Sequence, residues 1–211
     1  MLPLRNNTAL FVSLLLTGLV FIACRKEAER LPILGNTEVL NGDTIFHTVE
    51  DIPLIDQDSQ VFQLSKMGDK VFIADFFFIS CPTICPKVKK QMMRLYEQYK
   101  HDDRVMLLSH TIDPRHDSVP VLKRYADNLG VSSESWKFLY GSKDTIYDLA
   151  DQYFVSVVDD PSAPMGFDHS GRLILLDRNR HVRGFAEGTD PKSVSEFFHT
   201  IDQLLREEYA R

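Results

Sequence analysis

Hydrophobic and polar positions in the middle of the chain follow two alternating patterns. Residues 71–79 are almost continuously apolar, which is typical of a strand that is buried on both faces of a sheet. Residues 104–112 are expected to form a second buried strand. Between them, apolar side chains recur every three or four positions, at Val88, Met92, Leu95, Tyr96 and Tyr99. This spacing predicts an amphipathic helix, and Pro86 is well placed in its first turn.

The same two patterns continue toward the C-terminus. We expect helices over residues 142–153 and over residues 119–129, where Gly130 ends the helix. Further strands are expected at residues 136–140, 155–158, 173–176 and 182–186, and a last helix from Pro191 to about Leu205. Strands that alternate with helices predict an α/β fold, in which a mixed sheet is flanked by helices on both faces.

Short alternating segments precede the first buried strand. They lie near residues 44–49 and 61–64, and polar turn residues at 56–59 separate them. This arrangement predicts a β-hairpin that pairs the two segments and is added at the N-terminal side of the sheet.

The first 23 residues have the features of an export signal. Arg5 supplies one positive charge, and the apolar stretch after it is shorter than the roughly 20 residues that span a bilayer. Ile22-Ala23-Cys24 resembles the lipobox of bacterial lipoproteins, in which the cysteine becomes the first mature residue and carries lipid on its sulfur. A plain signal peptide and an uncleaved anchor are the alternatives.

This interpretation divides the chain into three parts. We predict a lipoprotein-type signal peptide over residues 1–23, a charged tether over residues 24–40 and one domain over residues 41–211. Lipid at Cys24 would attach the domain to a membrane in the cell envelope, facing the periplasm. The net charge is −6 and no basic stripe occurs, so nucleic acid is excluded as a partner class.

Two cysteines lie where the strand of residues 71–79 meets the following helix, in the sequence CPTICP at residues 81–86. The start of a helix presents unpaired N–H groups and the positive end of the helix dipole, and both favour a thiolate. Thiolates exchange disulfides and bind soft metal ions. Cys81 and Cys85 are therefore candidates for redox chemistry or for metal binding, and two buried structural cysteines are the remaining alternative.

A third ligand of suitable chemistry would favour metal binding. His169 stands out among the seven histidines because it follows a polar loop at residues 159–166 and directly precedes a strand. A histidine in such a place more often packs or is solvated. Met165 is a candidate soft ligand in the same loop, and His110 and His116 are candidates for an auxiliary metal site.

Three motifs together resemble the Sco/SenC family, the thioredoxin-like copper-binding proteins that help to assemble cytochrome c oxidase. They are CPTICP at residues 81–86, DPRHD at residues 113–117 and DHS at residues 168–170. They follow the family's order, and the likeness covers about residues 50–205. The resemblance implies a thioredoxin-like fold with an added N-terminal hairpin and a loop before the histidine.

The resemblance also implies that Cys81, Cys85 and His169 bind one copper ion, as Cu(I) or Cu(II). Two thiolates and an imidazole are a donor set that suits this metal. Asp168 is then a candidate to orient the imidazole by accepting its other N–H.

The function implied is that of a membrane-tethered copper metallochaperone. Its partners would be the copper-bearing subunit of a cytochrome oxidase and a copper donor or thiol reductant. The alternative is an enzyme, a thiol–disulfide oxidoreductase that reduces the subunit's cysteines before copper insertion, with Cys81 and Cys85 as the catalytic pair. A peroxidase, a copper sensor and a noncatalytic interaction module are further alternatives.

Overall fold

The computed structural model describes residues 30–163 and 166–209. The strands are β1 (Thr37–Leu40), β2 (Asp43–Phe46), β3 (Leu54–Asp56), β4 (Val61–Phe62), β5 (Val71–Phe77), β6 (Val105–Thr111), β7 (Trp136–Tyr140), β8 (Val157–Asp159), β9 (Phe167–His169), β10 (Arg172–Leu176) and β11 (Val182–Glu187). The helices are α1 (Cys85–Tyr99), α2 (Val119–Leu129), α3 (Lys143–Gln152) and α4 (Pro191–Tyr209), and residues 64–67 form a short 3-10 helix.

Seven strands form the central sheet, in the order β11-β10-β5-β6-β7-β3-β4. The middle strands β5, β6 and β7 are parallel, and the outer neighbours pair antiparallel. β5 and β6 are buried along their whole length because helices cover both faces of the sheet. One apolar cluster packs α1, α2 and α4 against one face, and the other packs α3 against the opposite face. The predicted mixed sheet with helices on both faces is confirmed.

An N-terminal hairpin is present, but its pairing differs from the prediction. β2 pairs with β1, and β4 pairs with β3. The turn between β1 and β2 places Asn41 at φ 54° and Gly42 at φ 91°, the left-handed backbone that a two-residue hairpin turn requires. The sequence pattern missed β1 because every residue of β1 and β2 is exposed, so no alternation of buried and exposed positions marks it.

Leu31 and the residues after it, within the segment 24–40 predicted as a tether, belong to the same compact unit as the sheet. The N–H of Leu34 donates to the carbonyl of Val182 at 2.8 Å. The guanidinium of Arg183 donates to the carbonyls of Leu31 and Pro32. Arg183 is only 7% exposed and also contacts three carboxylates, those of Asp177, Glu207 and Glu208. A buried cation needs such partners, so this network fixes residues 31–34 to the domain.

Other predicted features lie outside the described residues, namely the signal peptide of residues 1–23, the lipid site Cys24 and the candidate ligand Met165. Within residues 30–163 and 166–209, every helix is too short or too polar to cross a lipid bilayer.

Candidate metal centre

The two cysteines lie on either side of the start of α1. Cys81 is in the loop after β5, where its N–H donates to the carbonyl of Phe78 at 3.3 Å, and Cys85 is the first residue of the helix. Ile84 precedes the helix and has no capping side chain. The N–H of Cys85 instead points at Sγ of Cys81, 3.5 Å away. The Cys81 sulfur thus accepts from one of the free N–H groups that every helix start leaves.

This arrangement makes the pKa values of the two thiols differ. Burial alone would raise the pKa of Cys81, but hydrogen bonds from Cys85 and Thr83 outweigh it, so the pKa lies below its ordinary value of 9.0. Burial and the neighbouring Cys81 sulfur raise the pKa of Cys85 far above the ordinary value. Cys81 therefore becomes a thiolate first.

His169 is brought to the thiols by β9, which pairs antiparallel with β8 and opposes His169 to Val157. Its Nε2 lies 3.6 Å from Sγ of Cys85, and its Nδ1 lies 3.3 Å from the carbonyl oxygen of Ser170. A proton on Nδ1 can be donated to that carbonyl, which leaves the lone pair of Nε2 directed at the sulfur. Burial lowers the pKa of His169 and so favours the neutral imidazole, the form that binds metal ions.

The ligand atoms of Cys81, Cys85 and His169 all lie within 4.8 Å of one another. Two ligand atoms that are each about 2.3 Å from a common ion are at most about 4.6 Å apart. The cluster therefore needs only a small closure to surround one ion. Two sulfurs and one imidazole nitrogen match the preferences of a soft or borderline cation such as Cu(I).

Two glycines allow the segment after His169 to approach its neighbours closely. The N–H of Gly188 donates to the carbonyl of Gly171 at 2.9 Å. A Cβ on Gly188 would lie 2.4 Å from that carbonyl oxygen, which is closer than packed atoms can be, and 3.2 Å from Val88 of α1, which is a tight contact. Because Gly188 has no side chain, the segment that carries His169 can lie close to the helix that carries Cys85.

The DPRHD segment supports the cysteine loop from the other side. Asp117 is buried, and its Oδ2 accepts from the N–H of Ile79 at 3.0 Å and from the hydroxyl of Thr111 at 2.7 Å. Ile79 is two residues before Cys81, so Asp117 fixes the start of the loop to the end of β6.

Three further candidates from the sequence have other roles. Asp168 is exposed and His169 is buried, because neighbouring residues of a strand point to opposite faces. The ring nitrogen that Asp168 was expected to orient, Nδ1, contacts the carbonyl oxygen of Ser170. His110 is stacked on Phe76 in the core. His116 pairs with Asp113 at 2.7 Å. Neither of these two histidines belongs to a metal-binding cluster among the described residues.

Asp75 was missed by the sequence interpretation. It is buried in β5, accepts a hydrogen bond from Ser109, and lines a cavity of about 20 Å³ together with Cys85 and His169. A cavity of this size holds about one water molecule. Burial raises the pKa of Asp75 to about 7. The available signal was a single acid inside the otherwise apolar run of residues 71–79.

A second cavity, of about 150 Å³, opens beside Cys81 and His169. Apolar and small side chains form most of its lining, which comprises Phe78, Thr83, Ile84, Ala163, Phe167 and Asp168. Of the three candidate ligands, Cys81 and His169 line this cavity.

A dithiol at the start of the helix after a central strand, with an imidazole against one sulfur, defines this molecule as a thioredoxin-like protein with a candidate metal centre. The family model described as SCO1/SenC matches residues 44–206. The chain belongs to the SCO1/SenC family, as the three sequence motifs indicated.

Known relatives agree with this assignment. The chain is 30% identical over 136 residues to the SCO1 protein homolog of Bacillus subtilis (strain 168), which covers 64% of this chain and 70% of that protein. It is similar in structure to BsSco, described as a member of the Sco family of cytochrome c oxidase assembly proteins with a disulfide switch (TM-score 0.67, 24% identity, 87% of this chain and 100% of that chain).

The chain is also similar to the structure of Arabidopsis thaliana ScoI with copper bound (TM-score 0.63, 20% identity, 76% of this chain and 99% of that chain). These likenesses confirm the predicted thioredoxin-like fold.

Proposed function

We propose that this protein is a membrane-tethered copper metallochaperone that serves the copper centre of a respiratory cytochrome oxidase. The observation that carries the proposal is the convergence of two sulfurs and one imidazole nitrogen within 4.8 Å. Membership of the SCO1/SenC family and the copper named for the Arabidopsis thaliana relative support the choice of metal. Copper is the cargo, and Cys81, Cys85 and His169 are its ligands.

The different pKa values of the two thiols suit a stepwise transfer of copper. Cys81 loses its proton more readily than Cys85, because its pKa is lowered and that of Cys85 is raised. On transfer, thiolates of the acceptor replace the two cysteines in turn, and each released sulfur can recover a proton. The donor of copper and the oxidase subunit that accepts it are the partners.

Lipid on Cys24 is the second part of the proposal. The sequence Ile22-Ala23-Cys24 resembles a lipobox, and lipidation there would hold the domain at the periplasmic face of a membrane. Tethering raises the effective concentration near a membrane-embedded partner.

Counting bound copper tests the ligand set. Reduced protein should bind one Cu(I), and Cys81→Ala, Cys85→Ala and His169→Ala should each weaken binding by more than about 100-fold, because losing a ligand costs more than the 10–100-fold seen for outer residues. His116→Ala is the matched control, since His116 pairs with Asp113 instead. Undiminished tight binding in all three ligand variants would end the proposal.

A thiol–disulfide oxidoreductase is the second candidate, and the lowered pKa of Cys81 beside the raised pKa of Cys85 favours it. The Cys81 thiolate would attack a disulfide of the oxidase subunit and release one partner thiolate. Cys85, after losing its proton, would then break the mixed disulfide. The partner gains two electrons, and a thiol reductant must afterwards reduce the Cys81–Cys85 disulfide.

A further inference from the structure

The β1–β2 hairpin exposes several large apolar side chains. Val39 is 74% exposed, Leu40 59%, Ile45 46% and Phe46 38%. Among the described residues, the other large apolar side chains with comparable exposure, Val61 and Val158, lie singly on other strands. A concentration of exposed apolar surface on one short element indicates an interaction site.

The same hairpin lies beside the point where the tether joins the domain. Leu34 is held to Val182, and the N–H of His47 donates to the carbonyl of Asn36 at 3.2 Å. Only residues 35 and 36 separate Leu34 from the start of β1. Since an extended chain spans at most about 3.6 Å per residue, β1 begins within about 11 Å of Leu34.

The length of the tether limits how far this region can be from a membrane. Residues 25–30 separate Cys24 from Leu31. Seven residue steps reach at most about 25 Å. Lipid on Cys24 would therefore hold Leu31 within about 25 Å of the bilayer surface, and the hairpin begins only six residues further along the chain.

We propose that the β1–β2 hairpin lies on the lipid surface, with Val39 and Leu40 at its tip inserted at the boundary between headgroups and acyl chains. The inference rests on the lipid anchor at Cys24 in the proposed function. Glu38 and Asp43 flank the tip, so the contact fits a zwitterionic surface better than an anionic one. Apolar side chains at the end of a polar element are suited to shallow insertion.

This contact also orients the metal centre. Val182 and Leu34 lie at the end of the sheet where β5 begins, because Val182 pairs with Leu176 and Leu176 pairs with Phe72. The cysteines follow the opposite end of β5. A hairpin on the membrane therefore leaves the thiols facing away from the bilayer.

A fluorescent reporter tests the proposal in the full acylated chain, reconstituted in vesicles of brominated phosphatidylcholine. The native Trp136 is 2% exposed and the chain has no other tryptophan, so an added tryptophan dominates the quenching. Leu40→Trp should be strongly quenched by the brominated acyl chains. Val61→Trp is the matched control, because Val61 is 58% exposed but lies on β4 at the edge of the sheet away from the tether.

The outcomes separate this inference from the proposed function. Equal quenching of the two reporters, or none for Leu40→Trp, overturns the inference. If the tryptophan of Leu40→Trp becomes shielded from water only at high protein density, and the brominated lipid does not quench it, a second copy of the chain covers the hairpin. That result also overturns the inference. In the unsubstituted chain, the hairpin amides should also exchange hydrogen more slowly on vesicles than without vesicles. Unchanged exchange counts against the inference. If the measured mass of the chain shows no lipid, the premise of a lipid anchor at Cys24 is wrong and the inference falls with it. Copper binding by the same sample tests the proposed metallochaperone function independently.

Discussion

The Nε2 atom of His169 lies 3.6 Å from Sγ of Cys85, although 84 positions separate the two residues in the sequence. The order of strands explains this contact. β9 leads into β10, which pairs antiparallel with β5, and β5 leads into the helix that begins with Cys85. Neighbouring strands therefore bring the imidazole and the thiol to the same end of the sheet.

The two candidate functions respond differently to His169→Ala. Copper delivery to an oxidase subunit should be lost, because one of three ligands is gone. Reduction of a model disulfide by the reduced protein should persist, because Cys81 and Cys85 remain. Parallel assays of copper transfer and disulfide reduction on one preparation check this. Loss of both activities, with the fold intact, would contradict the assignment of the histidine to the metal alone.

The two thiols should also differ in reactivity with pH. Because the pKa of Cys81 is lowered and that of Cys85 is raised, iodoacetamide should modify Cys81 first as the pH increases toward 9. Mass spectrometry of metal-free protein at a series of pH values measures the order. Cys85→Ala should move the midpoint for Cys81 to higher pH, because one hydrogen bond to its thiolate is removed. Earlier modification of Cys85 would refute this order.

Gly188→Ala should disturb the metal centre without abolishing the fold. The new methyl group would meet the carbonyl oxygen of Gly171, and the strain should destabilise the protein by about 1–3 kcal/mol and displace His169. We expect weaker Cu(I) binding and a lower unfolding midpoint. Gly184→Ala, in β11, which ends just before Gly188, is the control because its methyl group would approach side chains only, those of Thr200 and Phe197. Equal copper affinity in both variants would argue against this role of Gly188.

Asp117→Ala should loosen the loop that carries Cys81. It leaves the half-buried N–H of Ile79 and the buried hydroxyl of Thr111 without their acceptor, which costs about 1–3 kcal/mol of folding free energy. Chemical denaturation measures that loss, and a copper titration should show weaker binding. His116→Ala removes the nearby contact to Asp113 but leaves Ile79 bonded, so it should change neither quantity. Full copper affinity in Asp117→Ala would show that the loop needs no such support.

Asp75 predicts a specific dependence of stability on pH. Its folded pKa of about 7 is above the ordinary 3.8, so the unfolded chain releases this proton first. The contribution of Asp75 to stability is greatest below pH 4 and declines as the pH rises to about 7. Asp75→Asn should remove this decline and raise the free energy of unfolding at pH 8 by up to about 4 kcal/mol, at 1.36 kcal/mol per pKa unit. Denaturation at pH 4, 6 and 8 checks it, and equal pH dependence in both proteins would contradict it.

The strongly patterned elements were predictable from the sequence. Residues 119–129 form a helix as expected, and it ends there because Gly130 adopts the left-handed backbone, at φ 69°, that terminates helices. The apolar run of residues 71–79, interrupted only by Asp75, marks β5, since a strand covered by helices on both faces has no polar side.

The short exposed elements were not predictable in the same way. β1 and β2 bury nothing, so their pairing is set by the Asn41-Gly42 turn and not by a hydrophobic pattern. β9 has only three residues, and the sequence pattern did not predict it as a strand. The expectation that His169 meets the thiols came from the family resemblance, because no local pattern records which strands become neighbours.

The buried guanidinium of Arg183 determines where a shortened version of this protein can start. A fragment that begins at residue 41 would lack the carbonyls of Leu31 and Pro32 and the strand that pairs with β2. Its cation would remain in the interior with fewer acceptors, and its second strand would be an unpaired edge. The smallest recombinant unit suitable for crystallisation or calorimetry therefore includes Leu31.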